Sequence, residues 1–257
     1  MGADVTLRVD GADYGQAHDF FRAAERGLKG IEERYSLYRP SELTQLNARG
    51  RLAHPSDDMQ ALLALARRVH GVTGGAFDPS LQPLWQAVRT GLPPDPALLG
   101  FAEMTIAPDE IRLPRPGMAL TLNGIAQGWA ADRLADVAAG HGLTSVLIDT
   151  GEIVGTGRDW QAGIAAADGR LVRQIRLNGR ALATSAPMGT RIGPAFDSSH
   201  ILDPRGGQAR WSLVSVSADS AAVADALSTA ACVMDRGELD AALAAFPDAR
   251  IEAIEAA

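Results

Sequence analysis

The sequence predicts a mixed α/β (α+β) protein: a single compact unit spanning 1–257, with two interleaved lobes, mixed or antiparallel sheets and flanking helices. Three observations carry this expectation. Segments with a strand period of two alternate with segments of helical period along the chain. No repeat of roughly 20 to 50 residues recurs, and no linker cuts the chain into independent parts. Finally, 257 residues with 46% hydrophobic and 21% charged side chains can bury a sizeable core.

Element by element, MGADVTLRVDG opens as an alternating strand with Val5, Leu7 and Val9 on one face. From Tyr14 to Tyr35, Phe20, Phe21, Ala24, Leu28 and Ile31 recur at spacings of three and four, the period of an amphipathic helix. SELTQLNARG reads as a short helix ended by Gly50, and DDMQALLALARRVHGVTGG as a longer one, capped by Asp57 or Asp58 and closed at Gly71. GLPPDPALLG is loop or helix entry. MTIAP and IRLP are strands around a turn at Asp109, and MALTL is a third apolar strand ending at Leu122. LNGIAQGWAAD then turns strand into helix, continued by ADRLADVAAGHG. SVLIDTGEIVGTG, WQAGIAAA, RQIRLNGRALATS and WSLVSVSAD read as strands, and SADSAAVADALSTAACVMD as a helix.

Composition excludes several classes of function. A net charge of -7 without a basic patch disfavours nucleic acid and anionic membrane as partners. No apolar run approaches the roughly 18 residues of a membrane span. Cys232 is the single cysteine, so neither an intramolecular disulfide nor a cysteine-rich metal site is available, and its neighbours suggest a packed thiol. The N-terminus carries neither a charged and apolar leader nor a lipidation cysteine. As written the chain is expected to be cytoplasmic, or periplasmic if an export segment has been removed. G-x-S-x-G, the P-loop and H-E-x-x-H are absent, and GIAQGWAAD lacks the third glycine of a dinucleotide fingerprint.

Three constellations could carry chemistry. Asp225 and Thr229 lie four residues apart on one helical face with Ser228 beside them, oxygen donors suited to a hard cation such as Mg²⁺. The same pattern also reads as the solvated polar edge of an alanine-rich helix. In TGGAFDPSLQPLW, Asp78 before Pro79 is a helix-entry cap, and the glycine-rich turn feeding a helix N-terminus is an anion site in waiting. In SSHILDPRGGQ, His200 is the best general-base candidate among the five histidines, or else a satisfied core or edge residue. Gly124 and Gly128 add a question. Each costs roughly 1 kcal/mol of helix stability relative to alanine, so backbone must approach backbone or a ligand there.

Taken in order, RYSLYRPSELTQLN, TGGAFDPSLQPLW, LTLNGIAQGWAADRL, VLIDTGEI, ALATS, SHILDPRGG and SVSADSAAVADALSTA resemble the consecutive signatures of the ApbE-type FAD:protein FMN transferases, from about Met1 to Asp235. The resemblance implies an ApbE-like fold and an enzyme that cleaves FAD with Mg²⁺. It transfers FMN onto a Ser or Thr hydroxyl of an acceptor flavoprotein through a phosphoester bond and releases AMP. By the same match, the Gly124 carbonyl, Asp225 and Thr229, with Ser228 adjacent, hold the metal. Met1, Ala76, Phe77, Asp78, Thr121, Asn123, Gln127 and Ile201 contact FAD, and His200 helps deprotonate the acceptor hydroxyl. Many members have aspartate at the position of Thr121 and lysine or glutamate at that of Gln127, so two ligand contacts are neutral here. The family's Asp-Pro-x-Thr-Gly turn reads DPRGG, with Gly206 replacing threonine. Two further readings share the site: an FAD pyrophosphatase yielding FMN and AMP, and a flavin-binding protein without catalysis.

Overall fold

The structure is a computed structural model in which residues 4–257 are described. β1 (Thr6–Val9) puts Leu7 and Val9 against the core, while Val5 stays exposed. α1 (Tyr14–Tyr35) starts where Asp13 accepts the Gln16 N–H and buries Phe20, Ala24 and Ile31; Phe21, expected on that face, is 41% exposed. α2 (Glu42–Arg49) is held by a Ser41–Thr44 capping box and ends at Gly50 in the left-handed region. β2 (Arg51–Ala53) follows, and then α3 (Asp57–Val72), capped by Ser56 and not by either aspartate. A 3-10 turn over Pro79–Leu81, capped by Asp78, leads into α4 (Gln82–Thr90). β3 (Thr105–Ile106) and β4 (Glu110–Arg112) join β2 in a three-stranded sheet.

No strand forms over MALTL. Met118, Leu120 and Leu122 are buried, which explains their alternation, but the Leu120 backbone pairs with a side chain: Asn47 Nδ2 donates to its carbonyl and Asn47 Oδ1 accepts its N–H. The Thr121 N–H donates to the Pro79 carbonyl at 2.8 Å. Thus the polypeptide reaches α5 (Ala126–Gly140) fixed to α2 and to the start of α4.

β5 (Val146–Asp149) and β6 (Ile153–Thr156) form a hairpin, and β7 (Trp160–Ala165) pairs with β8 (Leu171–Leu177). β9 (Arg180–Ser185) and a short hairpin of β10 (Arg191–Ile192) and β11 (Ser198–Ser199) precede β12 (Trp211–Ala218). α6 (Ala221–Ala231), α7 (Arg236–Ala244) and β13 (Arg250–Ala256) complete the chain. The main sheet is antiparallel throughout, ordered β1-β5-β6-β9-β12-β13. Alternation sorts its faces: Ala181, Ala183, Val214 and Val216 meet helices, whereas Leu182 and Leu213 pack with the β7–β8 hairpin.

Gly128 sets how closely α5 and α6 pack. A Cβ there would lie 2.7 Å from Ala222 Cα and nearer still to the Ala221 carbonyl, so only glycine fits. Asp132, one turn further, caps α6 from outside: it accepts from Ser220 Oγ at 2.6 Å and from the Ala221 and Ala222 N–H groups at 2.7 and 3.0 Å. Cys232 is fully buried, and burial pushes its thiol up to about 12.

Candidate active site

A cleft of about 1110 Å³ collects the α3–α4 connection, the loop entering α5, the β5–β6 turn, the end of β9 with the loop after it, and one face of α6. Ala76, Phe77, Asp78, Thr121, Asn123, Gly124, Gln127, His200, Ile201, Asp225 and Thr229 all line it. Met1 lies outside the described residues.

Ser228 is the exception. A step of one residue turns about 100° around a helix, so Ser228 faces β9 while Thr229 faces the cleft. Its hydroxyl is fully buried, 2.8 Å from Ser185 Oγ, and donates to the Asp225 carbonyl at 3.0 Å. Its role is to fasten α6 to β9 behind the cleft wall.

Asp225 is 3% exposed, makes no ion pair among the described residues, and accepts the Gly128 N–H at 3.1 Å. Burial raises its carboxyl to about 7, opposed by the Gly128 N–H and reinforced by the charge of Asp132. A full turn along, Thr229 packs against Gly124; a Cβ on Gly124 would lie 2.9 Å from Thr229 Oγ1. Asp225, Thr229 and Gly124 thus line one cleft with a carboxylate, a hydroxyl and a backbone carbonyl, the hard oxygen donors that, with water, suit Mg²⁺. The donor set fits that ion.

The start of α5 adjoins these donors, with the Gln127 N–H left free by the helix. α5 has no side-chain cap, and Ala126 and Gln127 in its first turn line the cleft. Asp78 is occupied by its cap, accepting from Ser80 N at 2.7 Å and Ser80 Oγ at 2.5 Å; burial raises its carboxyl despite those bonds. Gln127 Nε2 donates to the Thr150 carbonyl at 3.2 Å and Thr150 Oγ1 donates to the Gln127 carbonyl at 2.9 Å. The neutral side chain thus ties α5 to the β5–β6 turn. His200 Nδ1 lies 2.9 Å from the Pro187 carbonyl and 3.0 Å from that of Thr190. Two carbonyl acceptors assign a proton to Nδ1, so in the neutral ring Nε2 is the nitrogen that can accept one.

Three residues that shape the cleft and its helices escaped the sequence reading. Glu152, 7% exposed, lines the cleft; burial and the charge of Asp225 raise its carboxyl well above the usual range. Its signal was a carboxylate inside a glycine-bounded turn between apolar strands. Ser185 and Asp132 serve helices far along the chain, and no local pattern marks them.

Residues 1–254 match the ApbE family. Among curated relatives, the FAD:protein FMN transferase of Vibrio cholerae is 29% identical over 239 residues, covering 82% of this chain and 72% of its own. That of Klebsiella pneumoniae is also 29% identical, over 231 residues, covering 80% and 71%. Among solved structures, the flavin transferase ApbE from Vibrio cholerae superposes at a TM-score of 0.81 with 27% identity, over 95% of this chain and 88% of that one. The apo flavinyl transferase ApbE of Pseudomonas stutzeri does so at 0.76 with 26% identity, over 90% and 81%. Fold, ordered motifs and cleft agree, and the chain belongs to the ApbE family.

Proposed function

We propose that this chain is an FAD:protein FMN transferase that moves FMN from FAD to a Ser or Thr hydroxyl of an acceptor flavoprotein, dependent on Mg²⁺ and releasing AMP. The observation that carries the reading is convergence: Gly124, Asp225 and Thr229, a phosphate-suited helix start and His200 share one cleft large enough for a dinucleotide. The family membership and the names of the relatives support the same activity.

In this reading the acceptor oxygen bonds to the phosphorus on the riboflavin side, and the bond from that phosphorus to the AMP oxygen breaks. His200 Nε2 takes the hydroxyl proton, a contribution of roughly 10²- to 10⁴-fold for a positioned base. The start of α5 offers its dipole and the Gln127 N–H to the phosphate oxygens, the Ala126 and Gly128 N–H groups being taken by the Leu122 carbonyl and Asp225. Asp225, Thr229 and the Gly124 carbonyl would hold Mg²⁺, which would supply charge neutralisation on the pyrophosphate. Gly128 and Asp132 keep α5 and α6 in the register this needs.

Incubation of an acceptor domain with the protein, FAD and Mg²⁺, followed by mass spectrometry, tests the proposal. A gain of one FMN on a single Ser or Thr, abolished by EDTA, is expected. Unmodified acceptor with FAD split to FMN and AMP would favour the pyrophosphatase, and intact FAD throughout would favour a binding protein.

A further inference from the structure

Glu152 presents a buried carboxylate that the fold satisfies only in part, through the Thr184 backbone N–H. Its Oε2 has no hydrogen-bond partner among the described residues, and no Arg, Lys or His pairs with it there. The turn beneath it is fixed by the Thr150 N–H donating to the Glu152 carbonyl at 3.0 Å, by the Thr150–Gln127 bonds, and by Gly151 at φ 101°. Ile153 beside it is in register with Leu182 of β9. A buried carboxylate oxygen left without a donor is costly, so the donor to Oε2 comes from what the cleft binds. Glu152 lines that cleft together with Asp225 and Thr229, close enough to feel the Asp225 charge.

No group of three or more His, Cys, Asp or Glu gathers around a metal position among the described residues. A cation held by Asp225, Thr229 and the Gly124 carbonyl therefore keeps water on its remaining positions, as Mg²⁺ generally does. Those waters are donors that need acceptors. We propose that Glu152 is a positioning residue of this cation site, accepting hydrogen bonds from the cation's waters and so orienting the face turned toward the pyrophosphate. This inference rests on the cation reading above. Partners of this kind typically change metal affinity by about 10- to 100-fold.

The test is Mn²⁺ titration of the full chain without FAD, followed by electron paramagnetic resonance, for wild type, Glu152→Gln and Asp225→Asn. Expected is a 10- to 100-fold weaker Mn²⁺ affinity in Glu152→Gln, near-complete loss in Asp225→Asn, and a metal-free melting temperature of Glu152→Gln equal to or above wild type. Glu152→Ala, a second variant that removes the acceptor altogether, should weaken Mn²⁺ in the same direction. Wild-type affinity in both Glu152 variants, while Asp225→Asn loses the ion, would overturn the role of Glu152 and leave the cation site standing. A lowered melting temperature with unchanged affinity would assign Glu152 a structural role and likewise overturn the proposal. Absence of Mn²⁺ binding by wild type would overturn the cation reading itself.

Discussion

Replacement of Gly128 by alanine separates two opposing effects. Helix propensity alone favours the change by about 1 kcal/mol. Against it, the new Cβ would sit 2.7 Å from Ala222 Cα and closer to the Ala221 carbonyl, all backbone atoms that cannot rotate aside. α5 must then lift from α6, stretching the 3.1 Å bond from Gly128 N–H to Asp225 and the Asp132 cap. Overpacking of this kind costs roughly 1 to 3 kcal/mol, and its upper end applies to rigid neighbours. The net expectation is destabilisation by about 2 kcal/mol, or a melting temperature lower by about 4 to 8 °C for a chain of this size. Urea denaturation measures it. Gly124→Ala provides the contrast, because its Cβ would meet the Thr229 side chain at 2.9 Å and not backbone. There stability should change by under about 1 kcal/mol while Mn²⁺ affinity falls at least about tenfold, since displacing one ligand is enough. A Gly128→Ala protein at least as stable as wild type would refute the close-packing argument.

Four further outcomes are expected. Asp132→Ala strips three acceptor contacts from the start of α6 and should cost about 2 kcal/mol in urea denaturation. In the metal-free protein the Asp225 carboxyl stands at about 7 against an ordinary 3.8, so the folded state binds that proton more tightly; its stabilisation is full below 3.8 and lost progressively as pH rises from there through about 7. Asp225→Asn should therefore raise the metal-free melting temperature at pH 8, less so at pH 5, and leave it nearly unchanged near pH 3, read by calorimetry. His200→Ala should slow flavin transfer by roughly 10²- to 10⁴-fold while equilibrium dialysis finds FAD binding retained. Cys232 in the native protein should resist a thiol reagent such as DTNB, reacting only as fast as the fold opens, because the thiol is buried and its pKa raised.

Features written in local sequence were legible. The span of α1 follows from its apolar period, and Asp225 with Thr229 from helical spacing. Neighbourhood in sequence misled at Ser228, which the helix turns away from the cleft. Alternation misled at MALTL, where burial of Met118, Leu120 and Leu122 requires no ladder once Asn47 satisfies the Leu120 backbone. What stayed hidden depends on partners distant along the chain: Asp132 capping α6, Ser185 bonding Ser228, Glu152 facing Asp225. Beyond Asp235 a signal was present and unread, since Asp235 and Glu238 form a capping box that starts α7.

The central claim is that one cation position joins α5 to α6 inside the nucleotide cleft. A crystal of the protein grown with ADP and Mn²⁺, measured for anomalous scattering, tests it most directly. The account predicts a single strong peak within coordination distance of an Asp225 carboxylate oxygen, Thr229 Oγ1 and the Gly124 carbonyl. A peak bound elsewhere in the cleft, or none at saturating Mn²⁺, would contradict it.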